Sequence, residues 1–315
     1  MSDSFENVLT LSGGNVKGAY QAGAIKYLLQ EEKYEPDAIY GVSVGALNGG
    51  ILTSLARTVH KDGKPDWPTI ADGLLKVWTE EVTQFSDLGY ARSTVSLIWT
   101  VLVQQLFSSS YRKFTGLVNM DKAEELMYKS VDGDDLKNSP VYYACGVIDM
   151  LSGDYKRVSN RDEISADLLM RYMVASTREP IVMDVLPIEE GVYGDGGARD
   201  ILPFVGDPVT AKKVAAIALN ANHLNPERQQ EDMYRLLSIF DRTKSIMINE
   251  VSDEDCQKLV NINKLITQTP PIEYKLIRPA APDEIEIDRE TFTSKDIHEL
   301  IERGFERAKR EKWKT

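Results

Sequence analysis

The sequence predicts an α/β protein in which a parallel-dominated central sheet carries helices on both faces. Three observations point there. Short apolar runs alternate with longer stretches whose apolar residues recur at helical spacing, the pattern of strands alternating with helices. The run Val214-Ala215-Ala216-Ile217-Ala218-Leu219 is apolar at every position, as a strand buried on both faces must be. No repeat or low-complexity tract interrupts the alternation.

The first strand is read at 8–12, running into Gly13-Gly14-Asn15-Val16-Lys17-Gly18 and then a helix over 19–29 with Ala22, Ile25, Leu28 and Leu29 on one face. A strand, a glycine-rich loop and a helix make a nest of backbone N–H groups that can hold an anion, either a phosphate or an oxyanion. Ala19-Tyr20 stands where a phosphate-binding loop needs Lys-Ser/Thr, so the phosphate reading is the weaker. The second strand enters Gly41-Val42-Ser43-Val44-Gly45, which reads Gly-x-Ser-x-Gly, and a small-residue helix leaves it. Ser43 then sits on a sharp strand-to-helix turn, where a Cβ at 41 or 45 would clash with passing elements. The helix start favours negative charge developing at the serine.

A polar loop is expected over 55–68 and a helix over 69–81. The apolar segment 94–107 is too short to span a bilayer. It reads either as a buried helix or as a lid, and with Arg112-Lys113 behind it the stretch 94–113 is a candidate for peripheral membrane contact. A helix follows at 121–131, then an acidic turn at 132–135 without calcium-loop spacing, then a strand at 141–148 paired as a hairpin with 154–158. After a helix at 164–175 comes Val192-Tyr193-Gly194-Asp195-Gly196-Gly197. A carboxylate between glycines is either a solvated turn residue or a side chain held toward a neighbouring site. The strand 214–219, helices over 229–249 and 253–266, a strand at 274–277 and an amphipathic helix at 294–312 complete the chain.

These three pieces together resemble the patatin-like phospholipase family, which combines a glycine-rich oxyanion loop carrying a basic residue, Gly-x-Ser-x-Gly and a downstream Asp-Gly-Gly or Asp-Gly-Ala. The resemblance covers residues 7–205 and implies a patatin-like three-layer architecture. It implies a catalytic dyad of Ser43 and Asp195, with backbone N–H groups of Gly13, Gly14, Asn15, Val16 and Lys17 as the oxyanion hole. It also implies a phospholipase A or lysophospholipase-type esterase acting on phospholipid or other acyl-ester lipid without metal or cofactor. The chain departs from the family pattern twice. Asn15 replaces a third glycine, and Asn is the side chain that best tolerates positive φ. Arg178 and Glu179 stand in Ala175-Ser176-Thr177-Arg178-Glu179-Pro180 where small and apolar residues are expected. They are read either as pairing with each other at the surface or as making the acyl-pocket entrance more polar.

Composition narrows the partners. Within 315 residues, 42% hydrophobic and 27% charged content is that of an ordinary globular protein, and the whole of 1–315 is read as one domain. Its motif-bearing core is 7–205, with 206–315 an α/β extension packed on the same sheet. A net charge of −12, from 37 basic and 49 acidic residues, argues against nucleic acid and against general attraction to anionic membranes. Residues 1–7 lack the basic start and apolar core of a secretory signal, and the expected compartment is the cytoplasm, peripherally at membranes. Cys145, Cys256 and three histidines are too scattered for a metal signature. Three alternatives remain beside the dyad enzyme; a nucleotide-binding protein is the most distant, since the first loop lacks the phosphate-gripping lysine at the right place, and two are nearer. One is a Ser-Asp-His esterase of the α/β-hydrolase type, since Ser43, Asp195 and His223 occur in that order. The other is a catalytically silent lipid-binding protein using the same pocket.

Overall fold

The computed structural model describes residues 4–91, 116–203, 210–224, 236–265, 270–288 and 291–315. The segment 94–113, with its lid or buried-helix reading, lies outside them.

The main sheet grows outward from β1 (Ser4–Leu11), which pairs in parallel with β2 (Ala38–Val42) on one edge. Two small antiparallel pairs follow in the chain: β3 (His60–Lys61) with β4 (Lys64–Pro65), and β5 (Tyr90–Ala91) with β6 (Val118–Asn119). The main sheet resumes with β7 (Tyr142–Asp149), parallel to β2. Next come β8 (Tyr155–Ser159), β9 (Leu186–Ile188) and β10 (Gly191–Asp195), each antiparallel to its neighbours. Finally β11 (Thr210–Ile217) lies parallel to β1 on its other edge, and β12 (Glu273–Ile277) lies parallel to β11. The order across the sheet is β12-β11-β1-β2-β7-β10-β9, with β8 also on β7, eight strands among the described residues.

Alternation along the central strands explains why they read as unbroken apolar runs. Leu9, Ile39, Tyr143, Cys145, Ala215 and Ile217 enter one core, whereas Val8, Ala38, Tyr40, Ala144, Val214 and Ala216 enter another. Successive side chains point to opposite faces, so both faces of the sheet are covered. The first core receives α1 (Gly18–Lys26), α2 (Val44–Thr58), α3 (Trp67–Lys76), α4 (Asp121–Ser130), α5 (Gly133–Lys137), α6 (Ala166–Ser176) and a late helix, Ser294–Arg310. The second receives α7 (Leu236–Val260) and α8 (Ile262–Leu265) through Cys256, Leu259 and Ile262. The late helix, α9, buries Ile297, Leu300, Gly304 and Ala308 and packs along α1, as its apolar stripe requires. No helix among the described residues is long and apolar enough to cross a membrane.

Three sequence expectations need correction. The stretch 55–68 is not one loop: α2 runs to Thr58, and β3 and β4 form a hairpin before α3 begins. The acidic stretch at 132–135 is a helix start, because the Asp132 side chain accepts the Asp135 N–H at 2.9 Å and caps α5. The break expected between 249 and 253 is absent, since α7 passes through it. Asp253 is taken by Arg278, and Asp255 accepts the Ile201 N–H at 2.9 Å. These side chains bond groups outside the helix and leave its backbone continuous through 249–253.

Candidate active site

Two strands meet end to end on one edge of β7. Ala144 pairs with Ser159 of β8 on one side and Tyr40 of β2 on the other, while Val147 pairs with Lys156 of β8 and with Asp195. β2 and β10 therefore share the edge opposite β8. Val42 lies opposite Gly146 and Asp195 opposite the next residue, Val147. The chain cannot run straight on past Val42, because β10 already occupies that edge. It turns off at Ser43, whose φ of 57° and ψ of −128° lie outside the regions ordinary residues favour. That turn aims the serine into the gap between the strand ends, and α2 starts directly behind it. The two glycines of the motif allow the close passage. A methyl at 41 would lie 2.3 Å from the Gly45 carbonyl oxygen, and one at 45 would lie 2.2 Å from that of Leu11.

Asp195 is fixed from three directions. Its backbone N–H donates to the Arg178 carbonyl at 2.9 Å, its carboxylate accepts the Gly197 N–H at 2.8 Å, and its strand ends one register position from Val42, beside Ser43. Withdrawal from water pushes the carboxyl up from 3.8 to about 7, against the pull of the Ser43 side chain and the Gly197 N–H. Glu179 adds to the rise and Lys244 opposes it. A carboxylate that is a poor base in water thereby becomes one matched to neutral pH.

The 13–17 loop lies against the serine. A methyl at Gly13 would stand 2.9 Å from the Ser43 Cβ, and Asn15 and Val16 line the same cavity as Ser43. Asn15 takes φ 54°, the left-handed conformation its side chain tolerates. Residues Asn15–Lys17 form a single 3-10 turn in which the Lys17 N–H closes on the Gly14 carbonyl at 3.2 Å. The Asn15 and Val16 N–H groups, at the head of that turn, have no partner among the described residues. Beneath the loop runs a buried polar network. Trp78 Nε1 donates to Asn48 Oδ1 at 2.9 Å, Asn48 Nδ2 to Gln21 Oε1 at 2.9 Å and to the Gly18 carbonyl at 3.1 Å, and Gln21 Nε2 to the Ser12 carbonyl at 3.2 Å. Loop, α1 and α2 are thus tied together where no water competes.

A cavity of about 390 Å³ opens over Ser43. Val44, Leu47, Val77, Trp78, Phe85, Met120, Leu126 and Met127 make most of its wall apolar, while Asn15, Glu124, Arg178, Glu179 and Lys244 supply its polar part. Arg178 and Glu179 do not pair with each other, which corrects one sequence reading and leaves the polar-pocket reading. The Arg178 guanidinium, buried, binds Glu124 and, at 2.6 Å, Asp184. Glu179 takes Lys244 at 2.6 Å and Asn15 Nδ2 at 3.4 Å. One short segment therefore touches every part of the site: the Ser176 hydroxyl meets the Ser43 N–H, the Arg178 carbonyl meets Asp195, and Glu179 meets the loop.

His60, His223 and His298 are exposed and none lines this cavity. No group of three or more metal-capable side chains clusters among the described residues. Sequence reasoning missed Asn48, Gln21 and Lys244, polar residues whose place is set by long-range packing and which carry no local motif, and it gave Ser176 no role although it stands in the 175–180 stretch.

A family model for patatin-like phospholipase matches residues 9–206. No curated protein matches the chain. Among solved structures, VipD from Legionella pneumophila is 11% identical with a TM-score of 0.39, over 98% of this chain and 68% of that one. A chain of the ExoU–SpcU heterodimer from the type III secretion system of Pseudomonas aeruginosa is 14% identical with a TM-score of 0.29, over 99% of this chain. Of that chain 53% is covered, so the present chain spans about half its length.

Proposed function

The chain belongs to the patatin-like phospholipase family, whose members are lipid acyl hydrolases, and from that premise we propose that it is a serine esterase of the phospholipase A or lysophospholipase type. Ser43 is the nucleophile and Asp195 its base. The observation that carries the reading is the meeting of the two strand ends on one edge of β7, which brings Ser43 and Asp195 together beside a loop with N–H donors. Ser43 Oγ adds to the ester carbonyl while its proton passes to the Asp195 carboxylate. The carbonyl oxygen, now negative, accepts hydrogen bonds from the N–H groups of the 13–17 loop, each worth about 3 kcal/mol when removed from comparable sites. Collapse of the tetrahedral adduct expels the alcohol, which takes the proton from Asp195 and leaves the acyl group on Ser43. Water then repeats the sequence: Asp195 takes its proton, the acyl–serine bond breaks, and the carboxylic acid departs with Ser43 reprotonated.

The apolar wall of the cavity suits an acyl chain, and its size is within the range of small-molecule sites. Peripheral contact with a lipid surface through 94–113 belongs to the same reading. Polar replacements of Trp99 and Leu102 should lower turnover of vesicle lipid while sparing a soluble short-chain ester. The central test is Ser43→Ala, which deletes one hydroxyl. It should abolish short-chain ester hydrolysis with the fold intact, and a serine-reactive organophosphonate should label Ser43 in the unaltered protein. Undiminished turnover by the variant would end the proposal.

A further inference from the structure

Glu179 sits where three parts of the molecule meet. Its carboxylate accepts Asn15 Nδ2 at 3.4 Å and pairs with Lys244 at 2.6 Å, the two paired side chains being only 14% and 19% exposed. Asn15 holds positive φ in the loop, so its side chain is a handle on the backbone that carries the N–H donors. Lys244 lies on α7, beyond the family-matched residues 9–206, and α7 packs against the 196–198 turn that follows Asp195. Desolvating an ion pair in the wall of a mostly apolar cavity is costly, and an apolar pair would close that wall at lower cost. An orienting role accounts for charges in that place.

We propose that Glu179 and Lys244 are positioning residues for the hydrolysis: Glu179 holds the oxyanion loop through Asn15, and Lys244 balances its charge beside Asp195, so that α7 completes the site. This rests on the Ser43–Asp195 reading above. The electrostatics agree, since Glu179 raises the affinity of Asp195 for its proton and Lys244 lowers it. Other charged groups on the elements around Asp195 are committed elsewhere or stand further along the chain. Arg178 is held by Glu124 and Asp184, Lys17 ends the 3-10 turn of the loop, Asp149 lies two residues beyond Val147 on β7, and Asp200 lies past the turn with Asp255 and Lys258.

The test measures short-chain ester turnover against pH in the full chain, with melting temperature as the check on folding. Glu179→Gln keeps an oxygen for Asn15 but removes the charge, so the acidic limb should move to lower pH. Lys244→Met should move it to higher pH, and the two together should return it toward the original position. Glu179→Ala loses the acceptor as well, and kcat should fall roughly ten- to a hundredfold with little change in KM. Exchanging the pair, Glu179→Lys with Lys244→Glu, restores an ion pair but gives Asn15 no acceptor, so this variant should fold yet stay slow. Unmoved limbs in both single neutral variants, or full recovery of kcat in the exchanged pair, would reduce Glu179 and Lys244 to a structural brace. Ser43→Ala is measured alongside. If it is inactive while the Glu179 and Lys244 variants match the unaltered protein, this inference alone falls; if it is active, the dyad reading falls.

Discussion

The Ser176 hydroxyl accepts the backbone N–H of Ser43 at 3.0 Å and donates to the Gly146 carbonyl at 2.6 Å. One buried oxygen thereby joins the end of β2 to β7 at the point where the chain turns into the serine's strained conformation. Strain of this kind, on the order of 1–3 kcal/mol, persists only where the surroundings over-determine it.

Ser176→Ala should therefore do two things. It leaves a buried N–H and a buried carbonyl unsatisfied, which should cost roughly 1–3 kcal/mol of stability in denaturant unfolding. Relaxation of the Ser43 backbone should also lower kcat more than it alters KM. A variant as stable as the original protein would mean that another group satisfies the Ser43 N–H.

Asp195→Asn should lower kcat by roughly 10²- to 10⁴-fold, since a neutral amide cannot take the serine's proton. His223→Ala should keep most of its activity, because His223 is exposed on the turn after β11 and does not line the cavity. Comparable losses in the two folded variants would favour the Ser-Asp-His arrangement.

The pH profile follows from Asp195 at about 7. The base works deprotonated, so activity should rise with pH through an acidic limb near 7. This overlaps the range of an ordinary imidazole, so limb position cannot tell dyad from triad. Temperature can. A carboxylic acid ionises with almost no enthalpy change and an imidazolium with a large one, so a limb that stays in place between 10 and 35 °C is the expected result, on a scale of roughly tenths of a unit.

Asp200 makes a stability prediction of its own. Burial and the neighbouring Asp255 push its carboxyl up from 3.8 to about 7, while Asp255 is the partner of the Ile201 N–H and Lys258. The folded state then holds a proton that the unfolded chain releases, so stability is full below about 4 and falls as pH rises toward about 7. Asp200→Asn removes that dependence. It should be more stable than the original protein at pH 8, by roughly 1–3 kcal/mol, with the gap closing at pH 5. Equal melting temperatures at pH 8 would place the pair's proton elsewhere.

Much of this architecture was legible in the residues alone, for identifiable reasons. Strands buried on both faces, such as 214–219, must be apolar throughout. Glycines at 41 and 45 mark a backbone that neighbouring carbonyls approach within 2.3 Å of where a Cβ would stand. Asn15 tolerates a left-handed φ that few side chains accept, and it has one. These are local constraints, and local sequence records them. The tertiary structure alone decided which groups meet. β2 and β10 end on the same edge of β7, bringing residues 43 and 195 together across nearly half the chain, and no spacing rule encodes that register. It also sent Arg178 to Glu124 and Asp184, and Glu179 to Lys244 and Asn15, where sequence offered only the nearest opposite charge. A charged side chain is free to pair with any partner that packing delivers, whereas a backbone turn must be built from the residues that make it.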